Sequence, residues 1–181
     1  HSLHNLRLPV KEEISMKTVQ ALPEVEGVRG KSVVVIKIPG VSEKGRCRLR
    51  TIAVLLGKKE FVSYSDVDLI QKIFSEEDLK IALKKGPTFI LVNVLEHVLS
   101  SYFDIITELD VVNNKLEEEA VHEQAVMETI FHLKRSLGFL HRALNSNRNL
   151  VLSLENGLVK NVNSKYAAYF RNQYNDFMEL I

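Results

Sequence analysis

The acidic side chains in the middle of the chain are the residues best suited to chemistry. Between positions 100 and 130 there are eight acids and one base, Lys115. The acids are Asp104, Glu108, Asp110, Glu117, Glu118, Glu119, Glu123 and Glu128. Carboxylate oxygens are the ligands that hard divalent cations prefer, and an excess of them attracts cations diffusely even without a built site. A solvated helix face is the alternative, because seven bases follow between positions 131 and 171 against Glu155 alone.

Histidines are the second group that could bind a metal ion. His97, His122, His132 and His141 carry imidazoles, which suit Co²⁺ or Zn²⁺. No two of these four lie four residues apart, so the spacing does not predict a ready-made site on one helix face.

Sequence motifs of catalysis are not found. The chain lacks a glycine-rich phosphate loop, a nucleophile elbow and a His-Glu-x-x-His motif. Ser65, Ser75 and Ser136 have no evident base beside them in the sequence. The sequence therefore predicts that the protein is not an enzyme.

A basic patch raises the alternative of nucleic-acid binding. Its residues are Lys44, Arg46, Arg48, Arg50, Lys58 and Lys59, with Phe61 and Tyr64 close behind. Arg48 and Arg50 alternate along a predicted strand, which is more typical of an exposed sheet face or edge. We therefore predict no nucleic-acid partner.

The acidic segment must be positioned by two series of apolar residues spaced alternately four and three apart, which we call heptad ladders. The first runs Leu91, Leu95, Val98, Tyr102, Ile105, Leu109, Val112, Leu116; the second runs Val126, Ile130, Leu133, Leu137, Leu140, Leu144, Asn147, Val151, Leu154. This spacing keeps an apolar seam on one side of a helix roughly 40 Å long. The ladders predict helices at about 88–119 and 123–155 that fold back as an antiparallel hairpin. A third helix, about 165–181, stops in mid-pattern, which we interpret as a helix cut short.

The sequence pattern of residues 1–86 predicts a separate α/β lobe. β-branched runs indicate strands at about 32–38, 46–56 and 60–64, most simply an antiparallel meander. Short helices are expected at 67–74 and 75–84. Because residues 33–36 are all apolar, both faces of the sheet should be covered, for example by helices. The predicted fold class is therefore α/β, an α/β/α lobe with a mixed or antiparallel sheet followed by the helical hairpin.

The expected compartment is reducing and aqueous. Cys47 is the single cysteine and cannot form an intrachain disulfide. We find no signal peptide, and the richest apolar run, 89–99, is far shorter than the roughly 20 residues of a membrane span.

Several segments, taken in order, resemble one family. The first long helix carries Ser-Tyr-Phe at 101–103, Glu-Leu-Asp at 108–110 and Leu-Glu-Glu-Glu at 116–119. The returning helix carries Leu-Lys-Arg-Ser-Leu at 133–137 with Arg142, and 169–176 reads Tyr-Phe-Arg-Asn-Gln-Tyr-Asn-Asp. Pro-Glu-Val-Glu at 23–26 precedes the first predicted strand. These segments resemble the CorA family of divalent-cation channels.

This resemblance implies a cytosolic, ion-sensing domain of a magnesium or cobalt transporter in the cell membrane. Family members are homopentamers whose C-terminal part carries two membrane helices and a Gly-Met-Asn signature; this sequence has neither. Regulatory cations of the family lie between subunits. The matching positions here are Glu12, Glu13, Asp110, Asn172 and Asp176.

Three alternatives stay open at this stage. Asp110 could instead pair with Arg135 or Arg142 of the returning helix. The chain could be a soluble helical scaffold or metal-dependent regulator that shares only the hairpin. Mg²⁺, Co²⁺, Ni²⁺ and Zn²⁺ all remain possible as the preferred ion.

Overall fold

The computed structural model describes residues 26–28, 30–41, 47–65, 69–118 and 123–181. Its sheet has four antiparallel strands in the order β1 (Glu26–Val28), β2 (Lys31–Val41), β3 (Cys47–Leu56) and β4 (Phe61–Tyr64). The predicted meander is confirmed, with β1 added at its edge.

Strand β2 is longer than the sequence predicts. It continues past Ile38 because Pro39 and Gly40 pair with Leu49 and Arg48 of β3. A proline is tolerated where its missing N–H is not needed by a neighbouring strand. In the described chain β1 covers β2 only as far as Val33, so the edge beyond that residue is available for Pro39.

Both faces of the sheet are buried, as the apolar run at 33–36 predicts. Val34 and Ile36 belong to the main core, together with residues of the long helices. Val33, Val35 and Leu55 form a second cluster on the opposite face. Alternation along a pleated strand places these two sets on opposite sides.

The helices lie within two residues of their predicted bounds. They are α1 (Leu69–Ile73), α2 (Glu76–Lys85), α3 (Pro87–Glu118), α4 (Glu123–Glu155) and α5 (Ala167–Glu179), with a 3₁₀ turn, Ser164–Tyr166, before α5. The predicted α/β class with a long helical hairpin is therefore confirmed.

The junction between α2 and α3 shows how the hairpin begins. Ser75 caps α2 by accepting a hydrogen bond from the Asp78 N–H (3.2 Å). Gly86 ends the helix at a φ of 100°, which favours glycine. Pro87 occupies the first helical position of α3, so Thr88 lies inside the helix, where its hydroxyl accepts from the Asn163 N–H (3.0 Å).

Helix α3 supplies much of the core. Pro87–Asn114 is long and apolar enough, by length and composition, to cross a membrane, but half of its most apolar window is buried inside the fold. Buried core helices meet the same criterion, so this is weak evidence for a membrane span.

Asn147 ties the returning helix to the sheet. Its side chain is fully buried, accepts from the Lys37 N–H (3.0 Å) and donates to the Lys37 carbonyl (2.6 Å). Tyr102 donates to the same carbonyl (3.1 Å). Asn147, the polar position in the second ladder, thus acts like a short neighbouring strand for β2.

Candidate functional site

Helix α5 packs against both long helices through one face. Phe170, Gln173 and Phe177 are the buried residues of that face. The Phe177 ring meets the Tyr102 ring edge to face, with 6.2 Å between centroids. These positions follow a helical repeat, and the opposite face of α5 carries the exposed residues Arg171, Asn172, Asn175 and Asp176.

Gln173 is the polar residue at the contact between α5 and α3. It is 2% exposed and its Nε2 donates to the Val92 carbonyl (2.9 Å) and to Glu96 Oε2 (3.3 Å). Its Oε1 is buried and has no hydrogen-bond partner within the described residues. A buried acceptor left unpaired costs about 1–3 kcal/mol, so this oxygen favours a water molecule or a cation beside it.

Two of the predicted ligands flank Gln173 on α5. Asn172 and Asp176 are exposed and lie one turn apart on the helix whose Gln173 donates to Glu96 of α3. Amide and carboxylate oxygens of this kind suit Mg²⁺, which usually keeps several waters and needs few protein ligands.

Of the remaining predicted ligands the structure describes Asp110. Asp110 is exposed on α3, about 12 Å along the helix axis beyond Tyr102, the residue that touches Phe177. Glu12 and Glu13 lie outside the described residues. Among those described, no group of three or more His, Cys, Asp or Glu side chains could hold a metal ion.

Glu96 is the residue that sequence reasoning missed. It interrupts the apolar run of α3, and it is the one acid between Pro87 and Phe103. A lone carboxylate at the border of an apolar helix face indicates a polar contact at that border. Periodicity does not reveal its partner, Gln173, which is 77 residues away in the sequence.

The arginines proposed as alternative partners of Asp110 contact an aromatic ring. The Arg135 and Arg142 guanidinium carbons lie 5.6 and 5.0 Å from the Phe139 centroid. Each distance is within the range of a cation–π contact. Arg171 of α5 pairs instead with Glu155, the last residue of α4 (2.7 Å).

Taken together, these elements define an α/β domain with a long helical hairpin and a final helix docked on it. The fold is similar to the soluble domain of CorA from Methanocaldococcus jannaschii, with a TM-score of 0.77 and 20% identity over 90% of this chain and 67% of that one. It is also similar to the ZntB cytoplasmic domain from Vibrio parahaemolyticus, with a TM-score of 0.66 and 13% identity over 96% of this chain and 70% of that one.

The comparison of sequences agrees with the fold. The family described as CorA-like Mg²⁺ transporter protein matches residues 3–181, and the chain belongs to this family. A 114-residue segment is 26% identical to the cobalt/magnesium transport protein CorA of Methanocaldococcus jannaschii, covering 62% of this chain. The matched segment spans 36% of that relative's length.

Proposed function

We propose that this chain is the cytoplasmic, ion-sensing part of a magnesium or cobalt transporter whose pore is formed by other parts of the protein. The observation that carries the proposal is the contact between Glu96 and Gln173, on a chain of the CorA-like family. It joins the first long helix to the helix that would lead toward the membrane. Similarity to structures named as soluble and cytoplasmic domains supports the cytoplasmic side.

The proposed sensing site combines Glu96, Asn172 and Asp176, with Glu12, Glu13 and Asp110 as further ligands supplied by the same or a neighbouring subunit. In a homopentamer, bound Mg²⁺ or Co²⁺ would screen repulsion between carboxylates on adjacent subunits and hold the closed arrangement. A fall in cytosolic cation concentration would empty the site, and repulsion would then shift the helices. The soluble-scaffold alternative predicts no such response.

Thermal unfolding with and without metal tests this proposal. We expect millimolar Mg²⁺ or Co²⁺ to raise the melting temperature more than K⁺ at equal ionic strength, because a ligand that binds only the folded state stabilises it. The double variant Glu96→Gln and Asp176→Asn should lose that difference. The matched variant Glu76→Gln, an exposed acid on α2, should keep it.

Two results would contradict the sensing role. One is equal stabilisation by K⁺ and Mg²⁺, which would reduce the effect to general screening. The other is an unchanged metal response in the double variant, which would place the bound ion elsewhere. Native mass spectrometry of the same samples measures whether metal also favours a pentamer.

A further inference from the structure

A cavity of about 330 Å³ opens between the two long helices just beyond the end of the sheet. Leu109 and Val112 of α3 form one wall, and Leu133 and Phe139 of α4 form the other. Cys47, the first residue of β3, also lines it. Most of this lining is apolar.

The cavity exists because the apolar faces of α3 and α4 do not pack against each other at this point. Leu109, Val112 and Leu133 occupy ladder positions, so in a tight antiparallel pair they would interdigitate. Val112 is 38% exposed, whereas the ladder residue Ile105, two turns earlier, is 7% exposed. Residues that would mesh in a closed pair instead face an open space.

The rim of the cavity carries positive charge and hydrogen-bonding groups. Arg48, Arg135 and His132 line it, together with the hydroxyls of Thr129 and Ser136. Among the side chains that the structure describes, no acidic one lines it. This contrasts with the outer surface of α3, where Asp104, Glu108 and Asp110 are exposed.

We propose that this hairpin cavity binds a small organic anion with an apolar body, of the class of a medium-chain carboxylate. The tail would lie against the leucine, valine and phenylalanine walls, and the carboxylate would pair with the arginines at the rim. Arg is suited to this task because its planar guanidinium matches a carboxylate with two hydrogen bonds. The volume is at the lower end of the range of small-molecule sites.

Such a ligand would bridge α3 and α4 and complete the apolar seam. It would therefore stiffen the distal part of the hairpin without touching Glu96 or the residues of α5. Binding of this anion does not depend on the proposed cation sensing, and the two are tested with different ligands.

The single cysteine provides a direct readout. Because Cys47 lines the cavity and no other cysteine is present, a thiol reagent reports on occupancy in the unmodified protein. Burial raises the pKa of the Cys47 thiol, so the labelling is run at alkaline pH. We expect saturating octanoate to slow the labelling at least about fivefold, with 1-octanol and inorganic phosphate each protecting less.

Two variants separate the contribution of the arginine charge to ligand binding from that of the apolar walls. Arg135→Gln should raise the octanoate concentration that gives half-maximal protection about fivefold to tenfold and leave the response to 1-octanol unchanged, since Arg135 is an exposed residue outside the core. Val112→Trp should fill the space and remove protection by both ligands. Lys84→Gln, an exposed base at the end of α2, is the matched control and should behave as wild type.

Three outcomes would overturn the proposal. Absence of protection by octanoate would mean that the cavity is not a binding site. Equal protection by 1-octanol would make it an apolar cleft without charge selection, and equal protection by phosphate would make it an anion site that does not use its walls.

Discussion

The two halves of the long hairpin carry the same heptad spacing and differ in burial. Near the sheet, Leu95, Tyr102 and Val151 are completely buried. In the distal half, Ile130 and Leu137 are 43% and 46% exposed. Within the described residues the sheet and α5 cover the first half, whereas in the second half only the end of β3, at Cys47 and Arg48, lines the space between the helices. A heptad repeat therefore determines which residues share a face, whereas neighbouring elements determine whether that face is buried.

This difference separates two kinds of function along one pair of helices. The Glu96–Gln173 contact lies in the half supported by the sheet and α5, where packing can hold ligands in place. The cavity lined by Val112 and Leu133 lies in the less buried half. Regions with few buried contacts open more easily, so we expect the distal half to move first.

Core truncation gives the largest expected difference between the halves. Leu95→Ala removes a fully buried side chain and should lower the free energy of unfolding by about 2–5 kcal/mol. Leu137→Ala makes the same chemical change at a ladder position that is 46% exposed, and it should cost less than about 1 kcal/mol. Urea unfolding followed by circular dichroism measures both.

Similar losses in the two variants would refute the comparison, since they would mean that the distal seam is closed in solution. A change in the slope of the unfolding transition would instead indicate that the variant altered the unfolded ensemble.

The second largest expected loss of stability comes from breaking the hydrogen bonds between the hairpin and the sheet. Asn147→Ala removes both bonds to Lys37 and should cost about 1–3 kcal/mol, because the strand loses the side-chain acceptor of its N–H and a donor to its carbonyl in a part-buried position. Asn145→Ala removes local contacts to His141, one to its carbonyl and others to its ring, and should cost a few tenths of a kcal/mol. The specific readout is hydrogen exchange of the Lys37 amide, which should accelerate in the first variant alone. Unchanged protection of that amide would show that Asn147 does not complete the strand edge.

Sequence reasoning predicted the elements better than their contacts. The bounds of α3 and α4 could be predicted because apolar periodicity and stop signals are local properties of the chain. Strand β1 has three described residues, too few to show a pattern, and β2 passes through Pro39 because β1, as far as the structure describes it, does not extend along the edge that a proline N–H would face. The roles of Glu96 and Asn147 depend on partners 77 and 110 residues away. Predicting them requires knowing which surfaces meet.

The smallest expected effect concerns Tyr102, where the two long helices and the sheet meet. Its hydroxyl donates to the Lys37 carbonyl, which also accepts from Asn147, so Tyr102→Phe should cost only about 0.5–1.5 kcal/mol near neutral pH.

Burial raises the pKa of the Tyr102 phenol well above its ordinary value, the charge of the nearby Cys47 thiolate raises it further, and the bond from Asn147 lowers it in part. Above about pH 10 the unfolded chain ionises at this position while the folded chain stays neutral, so the wild type loses stability as pH rises. The phenylalanine variant does not lose stability in this way. The gap in free energy of unfolding between the two proteins should therefore narrow by up to about 1.4 kcal/mol per pH unit. Urea unfolding of both proteins between about pH 8 and pH 11 measures the gap, and the other titrating groups cancel because both proteins share them. A gap that stays constant over this range would mean that the phenol is reached by water, and that the base of the hairpin is as open as its distal half.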